Sequence, residues 1–237
     1  LSAQENSIKI LTQVMRKRRL KVIRLGRINY ADAVAIQKQT EQAIISGHDN
    51  DTLFLLEHPH VYTIGRRGKE NGILASPEIL KAIGAEVFET DRGGKITYHG
   101  LGQVVGYPII NLSLFKEDVH NYVRCLEEVL IRTIAEYGIK GFRIEGLTGV
   151  HTKEGKIAAI GVHIKRWVTT HGFALNVNTD LSYFNWIIAC EGEPVTSMER
   201  ILNRQIDLKE VEDKIISNFS EVFEFDEVTE EVFSMKK

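Results

Sequence analysis

Three places in this sequence hold side chains whose types and setting could support covalent chemistry. Cys190 stands in NWIIACEGEPVTSM, where an apolar run ends at the thiol and polar and glycine residues follow at once. That pattern puts a thiol at the end of an element facing a cavity. A lone cysteine is more commonly packed as a small apolar side chain. Cys125 reads that way, inside a long helix near its apolar stripe. Lys156 opens the run KEGKIAAIGVHI. At a hairpin mouth a lysine is ordinarily solvated. Folded over Ala158–Gly161 instead, it would enter a less polar place, where an ammonium gives up its proton more readily and the amine can act as a base. Such a lysine beside a cysteine is one route to an activated nucleophile, but the spacing alone does not bring the two together. The third place is DRGGKITYHGLGQ, Asp91 to Gln103, with paired glycines after an arginine and a β-prone run ending in Tyr98 and His99. It fits a hairpin turn, or a loop that must lie against something small and polar.

Other chemistries find less support. There is no G-x-x-x-x-G-K-[ST] phosphate loop, no G-x-S-x-G elbow and no H-E-x-x-H pair. His58 and His60 in EHPH lack a second cluster at metal-ligand spacing, so the pair reads as a turn after a strand and no metal is expected. A net charge of -2 gives no reason to expect nucleic acid as a partner, and the short basic run Arg16–Lys21 reads as a solvated lead-in to the first strand. No apolar run approaches the ~20 residues of a membrane span. Two cysteines make no disulfide framework and suit a reducing compartment. A cytoplasmic location is expected; the start at Leu1 rather than a methionine keeps an organelle matrix open beside it.

The elements that must position these groups follow from periodicity. Leu20–Gly26, Thr52–His58, Glu86–Thr90 and the run QVVGYPIINL read as strands, and Tyr30–Ile45 as a helix ended by Gly47. Ser76 caps a short helix with Pro77 in its first position. From Asp118 to Tyr137, apolar residues recur every three or four positions, with Asp118 as cap and Gly138 as stop. TGVHT and KIAAIGVHI form a hairpin through a glycine turn, THGFALNVN follows as a strand, and Asp207–Phe223 is an amphipathic helix. Strands cluster in the middle without strict alternation with helices. This predicts an α+β fold with a mixed, largely antiparallel sheet flanked by helices.

Taken together, these residues resemble a family. RGGKITYHGLGQVVGYPIINL (Arg92–Leu112) is similar to the signature of the lipoyl(octanoyl) transferases, which share the catalytic fold of the biotin and lipoate protein ligases. The resemblance continues upstream in LLEHPHVYTIGRR and downstream from TGVHT to IIACEG, and spans roughly Leu20 to Arg204. It implies a catalytic domain over residues 20–225, with 1–19 as an extension and 226–237 as a tail. It also implies transfer of an octanoyl group from octanoyl-acyl carrier protein to a lysine of lipoyl domains, those of 2-oxo acid dehydrogenase complexes and the glycine cleavage H protein.

Cys190 falls where the family has its acyl-accepting cysteine, and Lys156 on the lysine that serves as acid and base. Arg92, Gly93, Gly94, Lys95, Ile96, Thr97, Tyr98 and His99 fall on segments lining the acyl pocket, as do Ala159, Ile160, Gly161, Gly172, Phe173 and Ala174. Gly93 and Gly94 would let backbone approach the acyl carbonyl. Burying about seven methylenes at ~0.8 kcal/mol each would supply on the order of 5 kcal/mol toward selecting a medium chain. The resemblance implies no cofactor and no metal; a monomer is expected, though the sequence does not give the oligomeric state. The chain departs from the family pattern at Leu101, His151, Ala189 and Glu191. An ATP-dependent lipoate or biotin ligase, an amidotransferase between lipoyl-type proteins, and a non-catalytic binder of the carrier or lipoyl domains are the alternatives.

Overall fold

Residues 17–69, 72–188 and 194–232 are described by the structure, a computed structural model. Its strands form where β-branched and apolar residues cluster. β1 (Arg19–Arg27), β2 (Asp51–Glu57), β6 (Gln103–Ile109), β7 (Val150–Thr152), β8 (Gly155–Lys165) and β9 (Val168–Asn176) belong to one seven-stranded sheet, together with a C-terminal strand β10 (Glu227–Val232). The order is β10-β1-β2-β6-β9-β8-β7. β1 runs parallel to both its neighbours, and every other pair is antiparallel. The mixed, largely antiparallel sheet expected from the sequence is therefore present.

Helices cover both faces. α1 (Tyr30–Ile45) packs on one face against Phe54, Val105, Tyr107 and Ala174. α3 (Val119–Ala135) and α5 (Leu208–Val222) cover the other, burying Leu126, Leu130, Ile215 and Phe219 against Leu53, Ile157 and Leu175. The capping chemistry is as expected. Asp118 accepts from Asn121 N at 3.0 Å, and Ser76 accepts from Ile79 N at the start of α2 (Pro77–Ile83). A last short helix, α4, spans Met198–Leu202.

Two features lay outside the sequence expectations. A second, three-stranded sheet is built from β3 (Val61–Ile64), β4 (Glu86–Glu89) and β5 (Ile96–His99), in the order β4-β3-β5. β4 answers to the expected strand Glu86–Thr90 and β5 to the β-prone run ending in Tyr98 and His99; β3, directly behind the EHPH turn, and the pairing of the three into a sheet of their own were not expected. The second feature is β10, which begins just past residue 225, where the catalytic domain was expected to give way to a tail. Its sequence, EVTEEV, is acidic rather than apolar, and it pairs with the basic strand β1. Arg19 meets Glu227 at 3.0 Å, and Arg24 reaches Glu212, Asp213 and Glu230.

The basic lead-in is likewise not simply solvated. Arg18 lies over the rings of Phe115 and Phe225, donates to Phe223 O, and sits 3.4 Å from the buried carboxylate of Asp51.

Close packing in the middle of the sheet depends on one glycine. A methyl group at Gly106 of β6 would fall inside the ring of Phe173, its neighbour on β9. Gly106→Ala is therefore expected to lower unfolding stability by about 1–3 kcal/mol, the range for overpacking a core. Urea unfolding of the variant beside the parent checks this.

Candidate active site

The glycine stretch is a loop stitched down by its own backbone. Gly65 N donates to Lys95 O at 2.9 Å, Arg66 N to Arg92 O and Arg67 N to Gly94 O at 3.0 Å, which holds the loop to the end of β3. On its other side, Gly93 N donates to Val162 O at 2.9 Å on the open edge of β8. Gly94 has a φ of 94°, which a side chain would resist. Arg92 is buried and donates to Thr63 through Nε at 3.2 Å and Nη2 at 2.6 and 2.7 Å, and to Gly93 O through Nη1 at 3.0 Å. Its guanidinium ties the loop to the small sheet. Gly93, expected to offer backbone to a carbonyl, has already spent its N–H on β8.

Between this loop and the β8–β9 hairpin lies a cavity of about 380 Å³. Of the expected pocket residues, Arg92–Thr97, His99, Ala159–Gly161 and Gly172–Ala174 line it, and so does Lys156. Tyr98 does not. Strand alternation turns it to the opposite face of β5 from Thr97 and His99. There it stacks on Tyr183 with ring centroids 5.0 Å apart and hydrogen-bonds His60 Nδ1 at 2.7 Å. His60 is thus a partner of that aromatic cluster.

The lysine does not lie simply along Ala158–Gly161. Its Nζ donates to Thr148 O at 2.8 Å, beside Gly149, where a Cβ would press on the lysine Cε. Its backbone pairs with the segment after residue 193: Lys156 N donates to Pro194 O at 2.8 Å and Thr196 N to Lys156 O at 3.0 Å. Cys190, with the departures Ala189 and Glu191, lies outside the described residues. Cys125 is half-buried on α3, outside the cavity lining, and burial pushes its thiol above the ordinary value. Leu101 is exposed in the β5–β6 turn, and His151 is buried in β7; neither lines the cavity.

Sequence reasoning missed much of the wall. Tyr30, Gln103, Tyr107, His171 and Asn176 all line it, and only folding brings them there. His99 Nδ1 donates to Gln103 Oε1 at 2.8 Å, because the Gln103 amide nitrogen donates to Tyr98 O and Asn176 Oδ1. Asn176 Nδ2 in turn donates to Thr196 O at 3.0 Å. A chain of side chains therefore runs from His99 to the segment paired with Lys156. Beneath it, His58 donates from Nδ1 to Ile28 O and accepts from the Tyr107 hydroxyl at Nε2. The Tyr30 hydroxyl is buried near Thr90, and burial raises it to about 12. His171 adopts a φ of 57° on β9, and its Nε2 lies 2.7 Å from Asp91 Oδ1.

Burial disfavours the charged form of these histidines. Burial lowers His99 to about 3, helped by His58 nearby, and burial lowers His58 to about 4. Burial also lowers His171, against the pull of Asp91. Asp91 itself ends below the usual carboxylate range: partial burial raises it, but the His171 hydrogen bond and the neighbouring imidazoles outweigh that.

The chain matches the family described as the lipoyl protein ligase A/B catalytic domain over residues 29–220. A protein of Solibacter usitatus named octanoyltransferase is 52% identical over 203 residues, covering 85% of this chain and 92% of that one. An octanoyltransferase of Rubrobacter xylanophilus is 50% identical over 212 residues, covering 87% and 95%. Among solved structures, a bipartite lipoate protein ligase from Thermoplasma acidophilum, described with its E2 lipoyl domain, superposes with a TM-score of 0.73 at 18% identity, over 92% of this chain and 89% of that one. A lipoate-protein ligase A bound with ATP gives 0.71 at 16% identity, over 93% and 91%. At such identities the structures speak for the fold, which they share.

The neutral histidines carry a pH dependence with a definite sign. Below about pH 6.5 the unfolded chain takes up a proton at His99 that the folded chain refuses until about pH 3, so this residue's contribution to stability declines as pH falls through that window. His99→Gln, which can still donate to Gln103, removes the effect. Between pH 6 and 4, the stability of the parent should fall relative to this variant by about 1.4 kcal/mol per pH unit. Parallel denaturant titrations at four pH values measure the difference.

Proposed function

The chain belongs to the lipoyl protein ligase A/B catalytic-domain family, and we propose that it acts there as an octanoyltransferase of protein lipoylation, moving an octanoyl group from octanoyl-acyl carrier protein to a lipoyl-domain lysine through a thioester on Cys190. The observation that carries this reading is the position of Lys156. It lines the cavity, and its backbone holds Pro194 and Thr196, four and six residues after the cysteine. Four residues of chain span at most about 14 Å, and that upper bound on the separation of Cys190 from Pro194 supports the reading.

The chemistry balances without a further reactant. Lys156 takes the proton of the Cys190 thiol, and the thiolate attacks the octanoyl carbonyl. The tetrahedral intermediate collapses by breaking the bond to the carrier's thiol, which leaves with the proton returned by Lys156. A lipoyl-domain lysine then attacks the acyl-enzyme as its neutral amine. The carbon–sulfur bond breaks, an amide forms, and the amine's proton passes to the enzyme. Thioester to amide is downhill, so ATP has no place in the balance, and the kinetics are ping-pong.

The acyl chain lies among small residues. Ala159, Gly161, Gly172 and Ala174 share one face of the β8–β9 hairpin and line the cavity with little side-chain bulk. Arg92 works as a positioning residue that fixes this loop, and Tyr98 supports it from behind. The domain that does this work includes β10.

Intact-mass measurement after incubation with octanoyl-acyl carrier protein, without ATP, tests the proposal. One octanoyl group is expected on the parent and none on Cys190→Ser, and a lipoyl domain should discharge the adduct. Modification that appears only with ATP and free acid would make the chain a ligase. Loading only from an octanoylated lipoyl-type protein would make it an amidotransferase.

The same proposal predicts how chain length is read. Ala174→Leu should shorten the preferred acyl group. At ~0.8 kcal/mol per methylene, losing room for two should cut the preference for octanoyl over hexanoyl donors by roughly tenfold. Competition between the two donors gives the ratio directly.

A further inference from the structure

The cavity is larger than the space beside Ala159 and Gly172, because it turns around the edge of the large sheet. Val162 O on that edge accepts from Gly93 N, and strand alternation places the N–H and C=O of Ile160 on the same edge. Pairing with β7 stops at Ala158, opposite Val150. Between Ala158 and Val162 the edge is open, and among the described residues nothing bonds to Ile160 there. Beyond the gap, the cavity continues on the α3 face of the sheet, lined by Val119, Val123, Leu147, Ile160 and Val162. Val119 and Val123 belong to the apolar stripe of α3, yet here they face the cavity rather than the core; Val119 is 42% exposed. Lys156 and Thr148 stand among the lining residues of this arm.

We infer that this second arm, between α3 and the open edge of β8, seats the pantetheine arm of the acyl donor. The inference rests on the octanoyltransferase reading and extends it to the donor's other half. A thioester carries two long substituents on one reacting centre, and it needs two arms filled at once. The first arm has small, smooth walls suited to a polymethylene chain. The second has apolar walls and one free amide-sized edge, which matches a chain of methylenes interrupted by amides. Pairing an extended segment with an open strand edge is a general mode of recognition. The opening is four residues long, about 13 Å, with a single residue, Ile160, free to pair in both directions. That accommodates one amide of a pantetheine arm and is too short for a strand of an acceptor protein.

The test compares two small donors that differ only in the thiol, octanoyl-pantetheine and the octanoyl thioester of ethanethiol, by the rate of Cys190 acylation read as intact mass. The parent is expected to load at least tenfold faster from the pantetheine thioester. Val119→Trp, at an exposed position the fold should tolerate, and Val123→Phe, a smaller change deeper in the arm, should each bring the two rates to within about twofold. Equal rates in the parent, or a preference undiminished in both variants, overturns the assignment. Discharge to a lipoyl domain is measured on the same variants. If it slows as much as loading from pantetheine does, the arm holds the acceptor and the inference falls. Failure of either donor to load the parent, with carrier-bound donor also inert, removes the octanoyltransferase reading and the inference with it. Loading from carrier-bound donor alone leaves that reading standing, and overturns only the claim that the pantetheine arm is recognised here.

Discussion

One main-chain hydrogen bond, from Gly93 N to Val162 O, joins the two sheets of this protein where its chemistry is expected. Two conditions allow it. β7 ends early enough to leave the edge of β8 uncovered. Gly161, beside the contact, would press a Cβ against Gly93 O and the Arg92 side chain if it had one. Gly161 is thus a steric requirement and Gly94, at a φ of 94°, a conformational one, and the cavity is the space left beside the contact between loop and hairpin.

The same constraint explains the unusual polarity of the interior. A loop brought over a sheet by so few bonds needs support from below, and Arg92 supplies it by donating to Thr63. Burial disfavours a positive charge on His58, His99 and His171, and the Arg92 guanidinium adds to this at His99 and His171. Imidazoles and amides tied by hydrogen bonds give the cavity a wall that holds its shape without rearranging.

β10 carries a related lesson about charge. An acidic hexapeptide has little reason to form a strand by itself, and β1 carries Arg19, Lys21, Arg24 and Arg27. Each supplies what the other lacks, so the edge of the large sheet is closed by complementary side chains rather than by apolar burial. Exposed ion pairs contribute little singly. The parallel register set by β1 is what gathers several of them in one place.

The sequence by itself determined the long helices, their caps and the apolar strands, because periods of 3.6 and 2 are local and repeat enough times to be read. It also supplied Lys156, the glycine loop and the small residues of β8 and β9. Cys190 was legible only as a motif, and its placement lies outside the described residues. Tertiary structure alone decided the rest. The pairing of β3, β4 and β5 into a separate sheet depends on contacts between segments far apart in the chain. Tyr98 and His99 are adjacent in sequence, but pleating sends one to an aromatic cluster and the other to the cavity. Tyr30, Tyr107 and Asn176 come from a helix and two strands that carry no local mark of a site. The neutral state of the histidines depends on burial and on which amide faces which ring. Those are properties of neighbours far apart in the chain, and no local pattern encodes them.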